Sequence, residues 1–160
     1  MKTGLSLGIA ILAAFSVVVQ FDLMLANRTM PVFETTIRFF SYFTILTNSI
    51  VAFYFSRLTY LLVRGKSTFI INFGTLTAIT VYITIVGLVY QVFLRHAWSP
   101  TGLQKIVDEI LHSVNPILVI AFWLWSRRDN TLKYNDMGRW LIFPLLYLIY
   151  VLIRGNFSGF

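Results

Sequence analysis

Long apolar runs separated by short charged stretches organise this chain. A membrane-spanning helix needs about 20 mainly apolar residues, and such runs fall at roughly 4–26, 39–63, 68–94, 106–126 and 140–154. The second is densest through 56 and extends to 63, and the fifth is the shortest. No internal repeat, low-complexity segment or long linker divides them, so one transmembrane domain over 1–160 is expected. Lys2 followed by an apolar run resembles a signal peptide at first sight. That run continues through Ala26, interrupted only by Gln20 and Asp22, and lacks a convincing small-x-small cleavage site, which predicts a retained first helix.

Composition supports an all-α, polytopic bundle of about five spanning helices. Charged residues are 12% of the chain, apolar residues 58%, and the mean hydropathy is +0.77. A soluble domain carries roughly twice that charged fraction, so lipid must cover much of this surface. The net charge of +7 is scattered singly or in pairs between apolar runs, which argues against a nucleic-acid partner and for the bilayer. Having no cysteine, the chain has no disulfide framework, thiolate metal site or cysteine nucleophile.

Basic residues beside the helix ends predict orientation. One side collects Lys2, Arg57, Arg64, Lys66, Arg127, Arg128, Lys133 and Arg139, and the other Arg28, Arg38, Arg95, Lys105 and Arg154. The excess predicts a multi-pass cell-membrane protein with a cytoplasmic N-terminus. Trp123, Trp125 and Trp140 flank the Arg127–Arg139 loop, as interface-seeking indoles should.

Polar groups at membrane depth are the candidate chemistry. Under this topology Gln20 and Asp22, then Thr44, Thr47 and Asn48, then Gln91 and Arg95, then Asp108, Glu109, His112 and Asn115 sit toward one leaflet. Counting about 1.5 Å per residue, Thr44 lies about 9 Å beyond Arg38 and His112 about 10 Å beyond Lys105, which places the two at one level. Thr44, Thr47 and Asn48 share a helix face, as do Asp108, His112 and Asn115. A carboxylate four residues before a histidine accepts its N–H and fixes the tautomer, leaving the other ring nitrogen to take a proton. Pro116 deprives the His112 carbonyl of its helical donor and predicts a kink or widened turn there.

Structural roles compete with each of these readings. Thr47 and Ser49 are the kind of residues that pack closely or bond back to their own helix. Asp108 and Glu109 suit a helix N-terminus, and Asp22 a pairing with Arg28 or Arg95. His96 reads as a loop or interface residue. A metal site is not expected, because no HExxH-like pair occurs and a second imidazole at depth is missing. No glycine-rich phosphate loop is present, and Gly155 with Gly159 is a weak dimerisation motif.

Three motifs in order carry a resemblance: Tyr42-Phe43-Thr44-Ile45-Leu46-Thr47-Asn48, then Leu111-His112-Ser113-Val114-Asn115-Pro116, then Trp140-Leu141-Ile142-Phe143-Pro144-Leu145-Leu146-Tyr147 followed by Arg154-Gly155. Over about residues 38–155 the sequence resembles the androgen-induced and androgen-dependent TFPI-regulating membrane proteins and their bacterial relatives. The resemblance implies a fatty-acid ester of hydroxy fatty acid hydrolase, with an intramembrane threonine and histidine acting together. By motif those roles fall on Thr44 and His112, with Thr47 as the register competitor of Thr44. Such proteins commonly continue past the Arg-Gly with a sixth helix, whereas this sequence stops at Phe160. Either the chain is truncated or the fold is a shorter version, and in the latter case a pocket wall is expected from elsewhere, for example a second subunit in a homo-oligomer.

The resulting expectation is an intramembrane hydrolase of fatty-acyl esters that needs no cofactor and takes a hydrophobic acyl-ester ligand. Thr44 is the expected nucleophile, His112 the general base and acid, and Asp108 the residue orienting the imidazole. Asn48, Asn115, Thr47 and Asp22 are the expected substrate-side groups, with Asn48 or Asn115 donating to the oxyanion. Competing classes are a non-catalytic lipid-binding or transport protein using the same cluster, and a structural subunit of a larger complex.

Overall fold

Residues 1–65, 72–97, 99–126, 132 and 136–158 are described by a computed structural model. All regular structure among them is helical. The helices are α1 Lys2–Ala26, α2 Val32–Phe39, α3 Phe43–Val63, α4 Phe73–Leu94, α5 Gly102–Ser126, and, after a short α6 at Asp136–Trp140, α7 Ile142–Ser158. Among the described residues five segments are long and apolar enough to cross a membrane, the last being Asp136–Asn156. Lys66, Arg127, Arg128 and Lys133, and the expected start of the third helix at 68, lie outside the described residues.

α1 packs most extensively on α3. Its buried face is Ser6, Ile9, Ala10, Ala13 and Ser16, a stripe of mostly small side chains at helical spacing that lets the two backbones approach. Leu7, Ile11, Phe15 and Val18 point outward, as a lipid-facing surface requires. The core joins α1, α3, α4 and α5 through Val51, Phe55, Leu76, Ile83, Val119 and Phe122. Polar contacts cross it: Thr59 Oγ1 lies 2.9 Å from Ser6 Oγ, and Trp123 Nε1 donates to Thr77 Oγ1 at 2.8 Å. Interhelical hydrogen bonds of this kind average about 0.6 kcal/mol in lipid.

The second apolar run departs from expectation in a way that matters for the site. A continuous helix from 39 is predicted, but Phe39 ends the short α2, the chain turns at Phe40–Tyr42, and α3 begins at Phe43. Pro31 opens α2, Glu34 occupies its first turn and Arg38 its last, as the helix dipole favours. Thr44 therefore stands in the first turn of α3, so its depth does not follow from counting along one helix from Arg38. The fourth span likewise starts earlier than 106, at Gly102, because its opening Gly-Leu-Gln-Lys is too polar for a hydropathy window to include.

α7 has no buried residue in its spanning window. Its attachment runs along one side to the α2–α3 turn. Phe143 stacks on Phe43 with 5.5 Å between ring centroids, and Tyr147 meets the same ring tilted, at 4.9 Å. The Tyr147 hydroxyl donates to Ser41 O at 3.0 Å, and Arg154 bonds Glu34 at 2.8 Å, Ile37 O at 3.2 Å and Ser41 Oγ. The Phe143, Tyr147 and Arg154 of the third sequence motif thus hold the turn that positions Thr44.

Candidate functional site

Between α1, α3, α4 and α5 lies a cavity of about 500 Å³. Most of its wall is apolar, with Met24, Phe39, Phe43, Ile85, Val89 and Leu94 among the lining side chains. The polar lining consists of Gln20, Thr44, Gln104, Asp108 and His112, with the phenols of Tyr42 and Tyr90. Thr44 and His112 therefore share one cavity wall. No hydrogen bond joins the two.

Two widened turns shape this wall. Tyr90–Leu94 in α4 and Ile110–Val114 in α5 are π-helical and touch one another. Single π-turns inside α-helices often mark functional sites. The second is the widened turn that Pro116 predicts, and its bonding is specific. Asn115 N–H reaches back five residues to Ile110 O, so the Leu111 carbonyl loses its usual donor. Five residues beyond Leu111 stands Pro116, which has no N–H to offer. The orphaned carbonyl is taken by Asn48 Nδ2 from α3 at 3.3 Å.

Within this turn the imidazole is held in one orientation. His112 Nδ1 lies 2.9 Å from Asp108 O and 3.2 Å from Asp108 Oδ1. Both neighbours are acceptors, so neutral His112 carries its proton on Nδ1 and presents a bare Nε2. The other carboxylate oxygen of Asp108 accepts from the Tyr90 hydroxyl at 2.5 Å. The Tyr90 ring also lies flat on the imidazole, with centroids 4.4 Å apart and 15° between planes. Tyr90 is a site residue that sequence reading passes over, since it looks like one more aromatic in an apolar span. The i, i+4 spacing of Asp108 and His112 was legible, but a phenol from another helix was not.

Thr44 is set apart from other threonines of the spanning helices. Thr59, Thr77, Thr80 and Thr84 each bond back to the carbonyl four residues earlier. At the start of α3 the residue four before Thr44 is Phe40, outside the helix, and the Thr44 hydroxyl has no hydrogen bond among the described residues. Its backbone N–H is one of the first-turn donors that a helix leaves unpaired. Thr47, the register competitor, is fully buried with an unpartnered hydroxyl and does not line the cavity.

The expected substrate-side residues lie elsewhere. Asn48 and Asn115 are fully buried and line no part of the cavity. Asn115 Nδ2 donates to Asn48 Oδ1 at 2.8 Å, while Asn48 Nδ2 holds Thr44 O at 2.9 Å as well as Leu111 O. Engaged in tying α3 to α5, they are not placed to donate to an oxyanion in the cavity. Asp22 is exposed, away from the lining, and pairs with neither Arg28 nor Arg95. Glu109 bonds Arg95 at 3.0 Å and Ser113 Oγ at 2.6 Å, a network on the outside of the α4–α5 seam. No group of three or more potential metal ligands occurs among the described residues.

α4 approaches this turn closely through a glycine. A Cβ at Gly87 would stand 3.1 Å from Pro116 Cβ and 3.3 Å from His112 O, whereas one at Gly8 would meet nothing within 4 Å. Gly87→Ala is expected to separate the helices and cost about 1–3 kcal/mol, the usual range for overpacking. Thermal unfolding in detergent should show a lowered midpoint for Gly87→Ala and not for Gly8→Ala. Equal midpoints would sink this account of the helix contact.

The fold and the apolar exterior define a multi-span helical membrane protein with a polar-ended cavity at the contact of two π-turns. No family model matches the chain, and searches of curated proteins and of solved structures found no match either.

Proposed function

We propose that this protein hydrolyses fatty-acyl esters within the membrane, with Thr44 as nucleophile and His112 as base. One observation carries the reading: an unbonded threonine hydroxyl and a histidine with a bare Nε2 stand on the wall of a single apolar cavity. Thr44 Oγ1 adds to the ester carbonyl while His112 Nε2 takes its proton. The alcohol leaves with that proton, and the acyl group remains on Thr44. Water then adds to the acyl-threonine, giving its proton to His112 and releasing the fatty acid as Thr44 regains its hydrogen. The Thr44 N–H supports the developing oxyanion, a kind of donor worth about 3 kcal/mol where one has been removed. Asp108 holds the Nδ1–H tautomer throughout. A fluorophosphonate probe should attach to Thr44, read by peptide mass spectrometry. Modification of another residue, or none, in protein that binds acyl esters would reject the nucleophile and favour a binding or transport role.

The proposal includes a cell-membrane location with a cytoplasmic N-terminus, from the excess of basic residues on the Lys2 side. The chain has no cysteine, so single-cysteine variants report cleanly. In intact cells an impermeant thiol reagent should label Asn27→Cys and spare Met137→Cys. The reverse pattern would invert the orientation.

A further inference from the structure

We infer that the Gln20–Gln104 pair forms a recognition site for an uncharged hydroxyl near the ester, so that the ligand is a neutral hydroxy-ester lipid. This rests on reading the cavity as a lipid-ester site and narrows which ester enters. Both glutamines line the cavity, one from α1 and one from α5. Gln104 Nε2 donates to Gln20 Oε1 at 2.8 Å. The bond leaves the Gln20 NH2 without an acceptor and the Gln104 carbonyl without a donor among the described residues. Turning both amides about would exchange these roles and leave the same two groups, one donor and one acceptor, side by side.

Such a pair matches few ligand groups. A hydroxyl accepts from the NH2 and donates to the carbonyl, so both are satisfied. An alkyl group satisfies neither, which costs most where water is displaced from partly buried amides. A carboxylate only accepts, so it meets the glutamine carbonyl lone pair against lone pair. The rest of the wall adds to that discrimination. Among the described residues no Lys or Arg lines the cavity, and the one carboxylate that does is Asp108. A lipid carrying a free carboxylate would be drawn into a space with no cation and one anion.

Position sets where on the ligand the hydroxyl lies. Gln104, Asp108 and His112 follow at four-residue intervals along α5, putting Gln104 about 12 Å from His112 along the axis. Gln20 stands about 9 Å before the end of α1. The amide pair therefore sits toward the end of the bundle where α1 finishes, with the reaction centre deeper. A ligand entering with its alcohol portion at the glutamines places its ester toward Thr44 and His112. The hydroxyl then belongs to the alcohol portion, as in a monoester of a diol or glycerol.

Three oleoyl esters of similar size separate the possibilities: ethyl oleate, 2-hydroxyethyl oleate and oleoyloxyacetate. Their binding is measured by native mass spectrometry on the His112→Ala protein, where turnover cannot distort it, and their hydrolysis on the parent. Hydroxyethyl oleate should bind about tenfold tighter than ethyl oleate, the worth of one well-formed hydrogen-bond pair, and oleoyloxyacetate weakest. In a background also carrying Gln20→Leu and Gln104→Leu, the hydroxyethyl-to-ethyl ratio should fall to about one. Equal binding of the two neutral esters, or tightest binding of the carboxylate, overturns the inference without any glutamine variant having to fold. Preserved binding order with no hydrolysis of any ester would instead remove the hydrolase reading and leave the recognition site standing. Hydrolysis of all three at equal rates with equal binding would do the opposite.

Discussion

Thr44→Ala, His112→Ala and the double variant are expected to lose fatty-acyl ester hydrolysis to nearly the same extent, by a thousandfold or so in kcat/KM (about 4 kcal/mol). A nucleophile and its base form one unit, so once either is gone the other adds little. All three proteins should insert and purify like the parent, since neither side chain belongs to the packed core formed by Val51, Phe55, Leu76 and Phe122. Thr47→Ala should keep most activity, because Thr47 lies off the cavity. Full turnover by Thr44→Ala would end the nucleophile assignment. Independent, multiplicative losses would point to His112 activating a water. That outcome has a structural motive, because the Thr44 hydroxyl and the imidazole are not hydrogen-bonded to each other. Catalytic contacts are often loose before substrate arrives, and the kinetics decide between the two.

The second large effect concerns the support of the imidazole. Asp108→Asn should lower kcat roughly a hundredfold, less than removing the histidine. An asparagine offers NH2 hydrogens where the carboxylate accepted, yet Asp108 O at 2.9 Å from Nδ1 remains and keeps part of the orientation. Tyr90→Phe preserves the ring stacked on His112 but deletes its hydroxyl, and about a tenfold loss is expected. The chain has two histidines, so ring ¹⁵N spectra are simple to assign. The parent's neutral His112 should be protonated on Nδ1, and the share of that tautomer should fall in Asp108→Asn. An unchanged tautomer together with unchanged kcat in both variants would show that Asp108 and Tyr90 only pack.

Hydropathy alone determined the spans. Crossing a bilayer demands length and apolarity, and both can be counted residue by residue. The same count failed at Phe40–Tyr42 and at Gly102–Lys105. A turn between two apolar segments, or a polar first turn, changes hydropathy too little or in the wrong direction to set a boundary. Local spacing also determined the Asp108–His112 pair, since i and i+4 meet on any helix, and Pro116 announced a widened turn by its missing N–H.

What crossed between helices was decided only by the tertiary structure. Asn48 and Asn115 read as cavity donors because they share faces with Thr44 and His112, but Asn115 donates to Asn48, and Asn48 to the Leu111 carbonyl freed by the π-turn. Tyr90 reads as an ordinary apolar-span aromatic until α4 brings it onto His112. The physical reason is common to both. A helix that is apolar nearly all round has little in its sequence to say which face meets which neighbour. Its rotation and register are fixed by small-residue contacts such as Gly87 against Pro116, and by a few hydrogen bonds between helices.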